Sequence, residues 1–133
     1  MRLFLTAAIF LGGLLFAYMA LNFLIQPETA AAGLGMKANS ATGIATLRGD
    51  MTAFFGLTSF GMLYGAWKRN GDILLIPAFL MGCALLGRII TIFTDGTEQD
   101  YFGPMIIEAV FVILALIGSR MLPHPVTDGD DAT

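Results

Sequence analysis

Arg88 is the one charge in the run Ile73 to Phe93, ILLIPAFLMGCALLGRIITIF, which is otherwise almost wholly apolar. An arginine in hydrocarbon costs about 2.5–3.5 kcal/mol at mid-span and less toward an interface, so it calls for a compensating group. Candidates border or interrupt the other apolar runs: Asn22, Arg48, Asp50, Asp95 and Glu108. Arg48 and Arg88 cancel Asp50 and Glu108 in formal charge. Three kinds of chemistry suit such a set. It could be an ion-pair network tying helices together, a site for a polar headgroup whose tail lies between helices, or the working part of a small transporter or enzyme.

Catalysis lacks parts. No histidine falls within an apolar run, Cys83 has no base nearby in sequence, and no serine sits beside a His/Asp pair. Asp95, Glu98, Asp100 and Glu108 do not have the spacing of a calcium loop. Proton transport needs ionisable groups along a whole path, and one half of every apolar run is plain hydrocarbon. The chain therefore reads as non-enzymatic, with no metal and no cofactor. Its expected ligand is a lipid, isoprenoid or quinone headgroup, and its expected partners are the bilayer and either a larger membrane complex or further copies of itself.

Composition points the same way. Of 133 residues, 56% are hydrophobic and only 13% charged, against about 25% charged in soluble domains. A length of 133 residues allows one domain. There is no basic patch for nucleic acid and no glycine-rich phosphate loop. The single Cys83 excludes an internal disulfide. His124, between Pro123 and Pro125, reads as isolated.

These residues must be positioned by long helices. Four apolar runs, about 3–25, 49–67, 73–93 and 102–122, are each close to the ~20 residues that cross a bilayer. The first exceeds the ~7–15 residues of a signal-peptide core, so it reads as a retained anchor. Gln26-Pro27 ends it, and Asn39-Ser40 offers a cap for a second helix beginning near Thr42. Gly12-Gly13, and Gly61 with Gly65 flanked by Gly56 and Ser59, provide small surfaces for close helix approach. Pro77 sits early in the third run, where its missing amide costs least. Residues 123–133 read as a disordered acidic tail. The expected architecture is an all-α integral membrane protein, a four-helix transmembrane bundle running up-down-up-down.

Arg2, Lys68, Arg69 and Arg120 fall on the side of both termini, against Lys37 and Arg48 opposite. The positive-inside rule then puts both termini in the cytoplasm, with the six polar residues level near the outer face.

The stretches LRGDMTAFFG and LLGRIITIFTDG, with Glu108 in the last run, resemble a domain-of-unknown-function family of small bacterial inner-membrane proteins with four helices. Arg48, Gly87, Arg88, Asp95, Gly96 and Glu108 match its pattern, whereas Asp50 departs from the small or aromatic residue expected there. The resemblance implies the bacterial inner membrane as location and supplies no activity. A looser likeness to DoxX-like four-helix membrane proteins, some tied to quinone-linked oxidoreductases, implies a quinone or a partner subunit.

Overall fold

The computed structural model describes residues 1–96 and 102–124. Glu98, Asp100 and the acidic tail from residue 125 lie outside them. All regular structure among the described residues is helical: α1 (Arg2–Ile25), α2 (Pro27–Ala32), α3 (Ala41–Thr46), a π-helical stretch (Leu47–Met51), α4 (Thr52–Lys68), α5 (Leu75–Thr94) and α6 (Phe102–Met121).

The boundaries have local causes. Gln26 leaves helical geometry at φ −130°, and Pro27 then opens α2 in the first-turn position where its missing N–H is harmless. Gly35 takes φ +74°, a conformation that suits glycine, in the turn leaving α2. Ser40 caps α3 by accepting a hydrogen bond from the Gly43 N–H at 3.1 Å. From Ala41 to Lys68 the helical backbone is continuous, so this helix starts well before the apolar run it carries. Arg69 then turns left-handed at φ 50°, and the Asn70 N–H closes on the Gly65 carbonyl at 2.9 Å.

α1, α5 and α6 are long and apolar enough to cross a membrane, so three of the four expected spans are evident by length and composition. α4 alone has 17 residues and is shorter.

Neighbouring helices run antiparallel. On the α1/α4 seam, Ser59 Oγ donates to the Gly13 carbonyl at 2.8 Å and Thr52 Oγ1 to the Ala20 carbonyl at 3.4 Å. On the α4/α5 seam, a Cβ on Gly61 would stand 2.7 Å from Pro77 Cδ, and one on Gly65 would stand 2.6 Å from Leu74 Cδ2. Here glycine lets helix backbones approach closely, as the small-residue spacing predicts. α6 returns to α1 through Gly118 against Ile9 and through an edge-to-face contact of Phe111 with Phe16, centroids 4.8 Å apart. Because Ser59 Oγ is buried and bonded across a seam, Ser59→Ala should cost about 0.5–1.5 kcal/mol of stability. A thermal-unfolding series in detergent would show it.

The bundle is tight at one end. The Gly71 N–H donates to the Pro123 carbonyl at 2.9 Å, and His124 Nδ1 lies 2.8 Å from Asp72 Oδ1. His124 is thus not isolated. The turn between α4 and α5 holds Pro123 and His124, a contact across some fifty residues that local sequence cannot announce.

Toward the other end the helices part. α5 buries only Pro77, Ala78 and Met81, all in its first half, and α6 buries only Ala115, Gly118 and Ser119, all in its second. Both sets belong to the tight end. Large apolar side chains cover the outside, Phe79 at 71% exposure among them. In water such a coat would aggregate, and in lipid it is the expected surface.

Candidate functional site

Where α5 and α6 draw away from α1 and α4, they leave a cavity of about 940 Å³. Its walls are chiefly apolar. Phe16 from α1 and Phe54 and Phe55 from α4 supply rings. Met19, Met36, Met51 and Met81 supply flexible thioethers that adapt to irregular shapes. The turn after α2, through Gly33, Leu34 and Met36, adds to the wall from the chain segment between α2 and α3.

Into this lining α5 contributes Arg88 and α6 contributes Glu108. Arg88 Nε donates to both carboxylate oxygens of Glu108, each at 2.9 Å. The side chains are 25% and 13% exposed, so bulk water screens the pair little. Arg88 stands about two turns beyond Met81, the last buried residue of α5, and Glu108 stands in the early turns of α6. Their antiparallel arrangement puts them at one level. A charge-assisted contact of this kind bridges two helices at the point where apolar packing between them and the rest of the bundle has ended.

The other expected site residues lie elsewhere. Asn22 lines a separate pocket of about 400 Å³ with Tyr18, Gln26 and Thr29, formed by α1 and α2. Arg48 lies on a third pocket, of about 330 Å³, with Gln26, Pro27 and Glu28. Arg48 and Asp50 are exposed, and among the described residues neither forms an ion pair. Asp95 is exposed and accepts from its neighbour Thr94 Oγ1 at 2.6 Å. The single level cluster therefore resolves into one close pair, Arg88–Glu108, with four residues set apart from it.

The reason is local. Arg48-Gly49-Asp50 occupies the π-helical stretch, whose wider winding changes the facing of every residue relative to α-helical spacing. Only Met51, at the end of that stretch, reaches the cavity wall. The cavity-lining methionines and phenylalanines carried no signal of their own, because in a helix apolar on all sides an inward Met reads like an outward one.

No curated protein and no solved structure matches this chain. One family model does, described as Domain of unknown function (DUF4345), and it covers residues 4–119, including Arg48, Arg88, Asp95 and Glu108. With most of its length matched, the chain belongs to that family.

Proposed function

We propose that this is a small, non-enzymatic, multi-pass protein of the bacterial inner membrane that holds an amphiphile in the Arg88–Glu108 cavity. The observation that carries the reading is the cavity itself. About 940 Å³ of apolar, methionine-rich space with one charged pair in its wall is the make-up of a site for a tailed molecule with a polar head. Intramembrane ionisable pairs mark such sites by default. The ligand is drawn from lipids, isoprenoids or quinones.

In this reading four helices span. α4 reaches about 25 Å at ~1.5 Å per residue, short of the roughly 30 Å hydrocarbon core. The π-helical stretch that precedes it makes up the difference, and Trp67 with Lys68 suits its other end to an interface. The basic residues at the tight end, Lys68, Arg69 and Arg120, favour an orientation with that end and both termini in the cytoplasm and the cavity toward the outer leaflet.

The test fills the cavity. Ala84 lies on its wall from α5. Ala84→Trp should leave the protein folded while displacing the amphiphile. Solvent extraction of the purified protein and mass spectrometry should find a molecule enriched over the bulk membrane in the wild type and at background in the variant. Equal profiles in the two would end this reading.

A second reading, an accessory subunit of a larger complex, has one observation in its favour. Gly82 and Gly87 of α5 face open space, as do Gly56 and Gly103, whereas Gly61 and Gly65 are already used inside the bundle. Stable co-isolation with a larger assembly in mild detergent would support it; a chain that purifies alone would count against it.

A further inference from the structure

Arg48 takes no part in the large cavity, yet it lines a pocket of its own. The π-helical stretch packs against both α1 and α2. That packing brings Arg48 and Glu28 of α2 to one pocket of about 330 Å³, and they are the two charged residues of its lining. Opposite charges that share a pocket ordinarily close on each other. Here no ion pair joins them, and among the described residues neither side chain has another partner. A ligand that engages both must carry both signs, an anionic group for the guanidinium and a cationic N–H donor for the carboxylate. A purely anionic ligand meets Glu28 as a like charge, and a purely cationic one meets Arg48.

Position along α1 narrows the class. The pocket lies where α1 ends at Ile25, after 24 residues of helix, which is where such a span leaves the hydrocarbon. Ile25 lines the pocket and is 68% exposed. Leu21, one turn back on the same face of α1, is 55% exposed. The two make an apolar strip leading from the charged pocket into the bilayer. We infer that Arg48 and Glu28 form a site for a zwitterionic phosphoethanolamine lipid head, with the phosphate on Arg48, the ammonium on Glu28 and a chain along Ile25 and Leu21. This site is separate from the Arg88–Glu108 cavity and does not rest on that reading. It also gives the π-helical winding a role, because that stretch carries Arg48 to the α2 side of the bundle.

Glu28 and Arg48 are both exposed, so the contact is weak and exchanging, and titration rather than copurification reads it. Delipidated full-length protein in detergent is titrated with dioleoyl phosphatidylethanolamine or dioleoyl phosphatidylglycerol, which share tails and phosphate and differ in the ammonium. Native mass spectrometry reads the bound fraction. Free O-phosphoethanolamine is run as a competitor, to tell a lipid head from a soluble zwitterion. The ethanolamine lipid should bind about threefold tighter than the glycerol lipid, the factor expected for one exposed charge contact. Glu28→Gln should bring that ratio to about one, and Arg48→Gln should weaken both lipids about threefold.

An ethanolamine preference that Glu28→Gln removes supports the inference, and little competition from free O-phosphoethanolamine assigns the site to a lipid. Competition at concentrations equal to the lipid's overturns the lipid assignment. Tighter binding of the glycerol lipid by the wild type, a preference that survives Glu28→Gln, binding indifferent to Arg48→Gln, or no binding of either lipid overturns the site. Neither substitution removes a packed or bonded group, so thermal unfolding should match the wild type in both variants. The wild-type ratio of the two lipids stands as a test without them.

Discussion

Glu108→Leu alone is expected to destabilise the bundle by about 3–5 kcal/mol, the usual cost of breaking a shielded ion pair from one side. The variant leaves the Arg88 guanidinium on an apolar wall without the carboxylate that both its Nε contacts now reach. Arg88→Met combined with Glu108→Leu removes both charges and keeps similar volume. That double variant is expected within about 1.5 kcal/mol of the wild type, because volume-conserving apolar replacement of a buried pair is often close to neutral. Thermal unfolding of the three proteins in one detergent measures the difference. A single variant as stable as the double would mean that α5 and α6 are held without the pair. The contrast also separates two roles that one substitution confounds. The double variant should fold yet retain no amphiphile, since the charged pair in the cavity wall is gone.

The second large effect is expected at the tight end. A Cβ on Gly71 would run into the Ser119 carbonyl oxygen and come within 3.0 Å of that of Leu122. Both are backbone atoms, so no side chain can swing aside. Gly71→Val should cost about 1–3 kcal/mol through this overpacking and release residues 123 and 124 from the turn. Protease sensitivity after Leu122, read with thermal unfolding, reports both consequences. Gly56→Ala is the control. Nothing stands within 4 Å of its added Cβ, so the change should be neutral or stabilise by up to about 1 kcal/mol through helix propensity. Equal losses at Gly71 and Gly56 would refute the seam described here.

Much of this architecture was legible in the residues. Gln26-Pro27 marks the end of α1, Ser40 caps α3, which leads into α4, and Gly61 with Gly65 mark a close helix seam because each rests on short-range chemistry. Arg88 demanded a partner, and Glu108 is bonded to it, because a lone charge in apolar surroundings leaves few alternatives. Rotation was not legible. Arg48 and Asp50 fall at the same depth as the pair by residue count, yet the π-helical stretch turns them outward, and depth alone cannot reveal facing. The same ignorance of rotation hid the cavity, whose lining becomes visible only once Met19, Met51 and Met81 are known to face one space. The His124–Asp72 contact joins residues distant in sequence, and neither has a motif that points to the other.

Native mass spectrometry of the protein released from lipid nanodiscs, wild type beside Arg88→Met/Glu108→Leu, tests the central claim most directly. The expected result is a wild-type chain carrying one small bound molecule and a folded double variant carrying none. A bare chain in both, or the same adduct in both, would contradict a ligand site at the Arg88–Glu108 pair and leave that pair as a tie between α5 and α6.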